Sequence, residues 1–122
     1  MGRALVVEDD QAICELISDT LALAGFEAHC VQTDRDAYAA LAERPAIDAL
    51  VLDINLGRGT TGYDIARFAR QSMPGLAVIY VSGEASETSF SAFGVPDSVF
   101  VAKPFNTDDL LAALQSKLAA AD

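Results

Sequence analysis

Apolar positions recur along the chain in two alternating rhythms. Short aliphatic and β-branched runs stand at residues 4–8 (ALVVE), 27–32 (EAHCVQ), 48–53 (DALVLD), 76–81 (LAVIYV) and 98–102 (SVFVA). Runs of this length and composition predict five strands. Between them the apolar spacing is helical. Ile13, Leu16, Ile17, Thr20, Leu21 and Ala24 fall on one face, and Gly25 supplies the stop. Residues 34–44 are alanine-rich and end before Pro45, while residues 62–72 turn Arg67 and Arg70 outward and end before Pro74. The last pattern, 106–119, has Asn106 or Thr107 as its N-cap and Leu110, Leu111, Leu114 and Leu118 inward. The Ser- and Gly-rich segment 83–98 leaves room only for a short helix. Strands alternating with helices predict an α/β fold: a doubly wound, five-stranded parallel sheet with helices on both faces.

Composition narrows the class. The 122 residues suit one domain over the whole length, 1–122, with no output domain appended. The apolar share of 52% excludes a disordered chain. No apolar run approaches a membrane span, and the opening residues carry no secretion signal, so a cytoplasmic protein without membrane association is expected. Acids outnumber bases 18 to 8, for a net charge of −10, which argues against nucleic acid as partner and for a protein. Cys14 and Cys30 match neither a metal spacing nor a disulfide framework and are expected to be reduced, buried thiols.

Ligands of such sheets gather at the carboxyl ends of the strands. There stand Glu8, Asp9 and Asp10 after the first strand, Asp53 after the third, Ser82 after the fourth and Lys103 after the fifth. Three adjacent acids repel one another unless something offsets the charge. A hard divalent cation would do so, taking carboxylate oxygen from Asp9 and Asp53, with Glu8 acting directly or through water. Asp10 has a different task, capping the helix that follows. A carboxylate can also attack phosphorus, a reaction that needs positioning and charge neutralisation. Asp53, central in the group, is the candidate nucleophile, with Lys103 and Ser82 as charge and hydroxyl donors.

Taken in order, the acid pair after "LVV", "VLDINL" around Asp53, "IYVSG" around Ser82 and "VAKPF" around Lys103 resemble the receiver domain of two-component response regulators. The resemblance covers essentially the whole chain and implies the flavodoxin-like receiver fold. It also implies Asp53 as phosphoacceptor, Asp9 as direct Mg²⁺ ligand (Mn²⁺ being an alternative ion), Glu8 as the second acid and the Asn55 backbone carbonyl as a further ligand. By the same resemblance Ser82 and Phe100 are switch residues, Lys103 pairs with the phosphoryl group, and a cis bond precedes Pro104. Asn55 and Glu84 occupy positions that tune phosphoryl lifetime, and the pair resembles that of fast-cycling chemotaxis regulators. The implied partners are a sensor histidine kinase or histidine phosphotransfer protein, and a downstream protein. The implied role is a phosphoacceptor that gains and loses its own phosphoryl group, not a turnover enzyme. The loop "GRGTTG" (57–62), one residue longer than the family pattern and bearing Gly57 and Arg58, departs from it, as does Gly83.

Three other readings compete. A phosphorylation-independent docking receiver shares the fold. A Mg²⁺-dependent aspartyl-phosphate phosphatase of the haloacid dehalogenase type is remote, because Asp53 is followed by Ile54 and Asn55 where those enzymes carry Asp-x-Asp. An FMN carrier is rejected, since three acids after the first strand would repel a phosphate. His29 reads as a surface residue, and Phe90 and Phe93 divide between core and partner contact.

Overall fold

A computed structural model describes residues 2–43, 47–56, 61–83 and 87–121, the side chains of Glu87 and 118–121 excepted. Its elements alternate along the chain. They run β1 (Gly2–Val7), α1 (Gln11–Leu23), β2 (Phe26–Val31), α2 (Asp34–Glu43), β3 (Ala49–Leu52), α3 (Gly62–Ser72), β4 (Ala77–Gly83), α4 (Glu87–Phe93), β5 (Val99–Lys103) and α5 (Thr107–Ala121). The five strands are parallel, in the order β2-β1-β3-β4-β5.

Strand periodicity divides the core in two. Leu5, Val7, Leu50, Leu52, Val78 and Tyr80 face α2, α3 and Phe90 of α4. Ala4, Val6, Ala49, Val51, Ile79 and Val81 face α1 and α5. Both faces of β3 are therefore fully buried, which is why "ALVL" is a continuous apolar run.

The helices end as their caps dictate. Asp10 is the N-cap of α1, its Oδ1 accepting from the Ile13 amide at 3.2 Å. Asn106 caps α5, accepting from the Asp109 amide at 2.8 Å. In α1 the buried positions are Cys14, Ile17, Thr20 and Leu21, whereas Leu16, expected inward, is 45% exposed. The buried stripe of α1 is thus narrower than the periodicity implied. Arg67 is exposed as expected, but Arg70 is not simply outward. It donates to the carbonyls of Leu76, Pro96 and Asp97 at 2.6–3.2 Å, tying α3 to the segment before β5.

The cysteines also depart from expectation. Cys14 of α1 and Cys30 of β2 are not free thiols: their sulfurs are joined as a disulfide with a Cα–Cα distance of 6.2 Å. The two lie 16 residues apart in sequence, and only the packing of α1 over β2 brings them together. Pro45, Gly57, Arg58 and Glu84, and the side chain of Leu118, lie outside the described residues. No helix among the described residues is long and apolar enough to cross a membrane.

Candidate functional site

Register places the site. Val7 pairs with Leu52, Leu52 with Tyr80, and Ser82 with Ala102, so the residues just beyond these positions line one edge of the sheet. The chain turns immediately after β1 and β3, and two backbone bonds fix those turns: Glu8 N–H donates to Val31 at 3.0 Å, and Asp53 N–H donates to Val7 at 3.0 Å. Glu8 and Asp53 are buried, and Asp9 is exposed beside them. Carboxylate oxygens of the three lie within 4.8 Å of one another.

Two donors reach the Asp53 carboxylate from across the sheet. Ser82 Oγ donates to Oδ1 at 2.7 Å, and Lys103 Nζ donates to Oδ2 at 2.9 Å. The Asn55 amide adds a third bond to Oδ1 at 3.1 Å. Lys103 Nζ also bonds Glu8 Oε1, so one ammonium bridges two buried carboxylates. Asp10 belongs to the helix cap, although its amide leans on Glu8 Oε2 at 3.3 Å. Asn55 is exposed, and Lys103 is followed by a cis peptide to Pro104.

Electrostatics follow from this enclosure. Burial pushes the Glu8 carboxyl up to about 7, Asp9 and Asp53 add to the rise, and the Lys103 hydrogen bond opposes it. Burial alone would lower the Lys103 ammonium, but the bonds from Glu8 and Asp53 outweigh it and hold its pKa above the usual lysine range. The site is short of one positive charge: three acids face a single lysine. An all-oxygen donor set of this kind suits Mg²⁺ or Mn²⁺.

Sequence reasoning missed what lies behind the site. Tyr63, Tyr80, Phe90 and Phe100 form a ring-to-ring file, with centroids 5.3, 5.6 and 5.5 Å apart. The Tyr80 hydroxyl accepts from the Val95 amide at 3.2 Å, and burial pushes its pKa up. Tyr63 hydroxyl and Ser89 Oγ share a 2.7 Å hydrogen bond, which pins α4 to α3. The two aromatic residues of α4 separate as expected: Phe90 packs into this file and Phe93 is 57% exposed. His29 is exposed on the edge strand β2.

Residues 4–115 match the model of the response regulator receiver domain family. The chain belongs to that family. Its fold superposes on the crystal structure of a response regulator receiver protein from Sinorhizobium medicae with a TM-score of 0.93 at 31% identity, covering 99% of this chain and 97% of that one. Among curated relatives, a putative NtrX-like response regulator of Rickettsia conorii is 33% identical over 112 residues, or 90% of this chain and 23% of the relative. The regulatory protein VirG of Agrobacterium tumefaciens is 31% identical over 122 residues, 97% of this chain and 44% of the relative. The receiver therefore spans between a quarter and a half of the length of these relatives.

Proposed function

We propose that this receiver is a phosphorylation-dependent signalling domain whose phosphoacceptor is Asp53. The observation that carries the proposal is the convergence on one buried carboxylate of a hydroxyl, an ammonium and two further acids from four different strand ends. A carboxylate held by Lys103 and Ser82 is oriented for in-line attack on phosphorus, and both donors are placed to take up charge on the transferred group. The donor would be the phosphohistidine of a sensor kinase or histidine phosphotransfer protein. An Asp53 oxygen forms the P–O bond, the P–N bond breaks, and the imidazole leaves with a proton.

Glu8, Asp9 and Asp53, with the Asn55 carbonyl, would hold Mg²⁺ or Mn²⁺, which supplies the positive charge the site lacks. Lys103 then neutralises what remains of the phosphoryl charge, roughly −1.5 to −2. Ser82 would exchange its bond to Asp53 for one to the phosphoryl group. Because Ser82 lies two strand positions beyond Tyr80, its movement would reach the aromatic file, Phe100 and α4. The altered α4–β5 face would signal to a downstream protein or pass the phosphoryl group onward, in the cytoplasm. Asn55, exposed beside Asp53, is positioned to orient the hydrolytic water, with Glu84 as its companion. The unit of function is the single receiver, 1–122, acting as a phosphoacceptor and not as a turnover enzyme.

The test is incubation with acetyl phosphate. Intact mass spectrometry is expected to show one phosphoryl adduct that chelation of divalent cations suppresses and that Asp53→Asn eliminates. Full labelling of Asp53→Asn would overturn the assignment.

A further inference from the structure

The turn that carries Glu8, Asp9 and Asp10 is held at both ends by residues adjoining the Cys14–Cys30 pair. At one end Cys30 pairs with Val6 across the β1–β2 ladder, and its neighbour Val31 accepts the Glu8 amide at 3.0 Å. At the other end the Cys14 amide makes the first bond of α1, to the Asp10 carbonyl at 2.9 Å. The side chains of Gln11 and Gln32 meet just outside the pair. No other covalent link spans α1 and β2 among the described residues.

We propose that Cys14 and Cys30 are a reversible redox pair that locks the acid-bearing turn when oxidised and loosens it when reduced. Three observations support this. The Cα–Cα distance of 6.2 Å lies within the range a disulfide spans without backbone movement. The sulfurs differ in access: Cys14 is fully buried in the core, while Cys30 is only partly buried, on the edge strand of the sheet. A disulfide in a protein of a reducing compartment is ordinarily transient and redox-sensing, not a permanent staple. The effect on metal binding and phosphorylation rests on the function proposed above; the bond and the locking do not.

The oxidant is a small disulfide of the glutathione class. The Cys30 thiolate attacks one sulfur of that disulfide, forming a mixed disulfide and releasing one thiolate. The Cys14 thiolate then attacks the Cys30 sulfur, closing the protein bond and releasing the second. Two protein thiols lose two electrons and two protons, and the oxidant becomes two thiols. Cys30 is the accessible member that meets the oxidant, and Cys14 is the resolving thiol.

The experiment poises the whole protein in buffers of graded reduced to oxidised glutathione, quenches with an alkylating reagent and reads intact mass. The expected result is one transition between two alkylated thiols and none, with no lasting glutathione adduct. Cys30→Ala should keep one thiol throughout. In metal-free hydrogen exchange, amides of residues 8–14 should be several-fold better protected in the oxidised wild type than in the reduced, a difference absent from Cys30→Ala. Thiols that stay alkylatable across the whole range, or equal protection in the two states, would overturn the proposal. A parallel Mg²⁺ titration separates it from the site reading. Redox-dependent protection without Mg²⁺ binding in either state leaves the pair standing and removes the metal site. Mg²⁺ binding with redox-independent protection does the reverse.

Discussion

Glu8 shows how one side chain reports the state of the whole acid cluster. Burial raises its carboxyl to about 7, whereas in the unfolded chain it titrates in the ordinary carboxylate range. Between those values the folded protein holds a proton that the unfolded chain has released, so metal-free stability should fall as pH rises from about 4.5 to about 7. At 1.36 kcal/mol per pKa unit the loss is about 3 kcal/mol. Denaturant midpoints at both ends of this window, measured in chelator, should fall steeply in the wild type and much less in Glu8→Gln. Equal slopes would mean that another group titrates. Asp10 behaves oppositely: its carboxylate serves the α1 cap, so Asp10→Ala should cost about 1 kcal/mol while leaving Mg²⁺ affinity little changed. Loss of the Mg²⁺ titration in Asp10→Ala would reverse this division of labour.

Among the elements, α3 sits closest to the phosphoacceptor. Its first residue, Gly62, donates to the Ile54 carbonyl at 2.9 Å. A methyl group there would collide with the Asp53 carbonyl oxygen and lie 2.9 Å from Ile54 Cα, both backbone atoms that cannot swing aside. Gly62→Ala should therefore destabilise the domain by about 1–3 kcal/mol and shift the Asp53 loop, measurable as a lower melting temperature with weakened acetyl phosphate labelling. Unchanged melting would show that α3 can slide without disturbing Asp53. Helix α4 is the opposite kind of element. Seven residues rich in Ser and Thr have little intrinsic helicity, and α4 is held by Phe90 packing and the Tyr63–Ser89 bond. Its amides should be among the least protected in hydrogen exchange, and phosphorylation should alter them before those of α1. Identical exchange in both states would remove α4 from the signalling path.

For the molecule as a whole, the sheet and its site edge were legible because each strand is an apolar run ending in the residue that carries chemistry. Val7 leads into Glu8, Leu52 into Asp53, and Lys103 closes β5. What stayed hidden depends on packing between distant segments. Arg70 follows the outward helical rhythm, yet its guanidinium folds back onto three carbonyls that no periodicity reveals. Cys14 and Cys30 meet only because α1 lies over β2. Tyr80 reads as one more apolar strand residue, but its hydroxyl finds the Val95 amide and its ring links the switch strand to α4. Helix and strand patterns record which face is buried, and they are silent about which partner fills it.

The identity of the modified residue bears most directly on function. Reduction of the acetyl phosphate-treated protein with borohydride converts an aspartyl phosphate to homoserine, which fragmentation mass spectrometry places in the sequence. Homoserine at position 53 alone, formed only with Mg²⁺ or Mn²⁺ present, is the expected result. Homoserine at position 9 or 10, or none with the divalent cation present, would contradict the assignment of Asp53 as the phosphoacceptor.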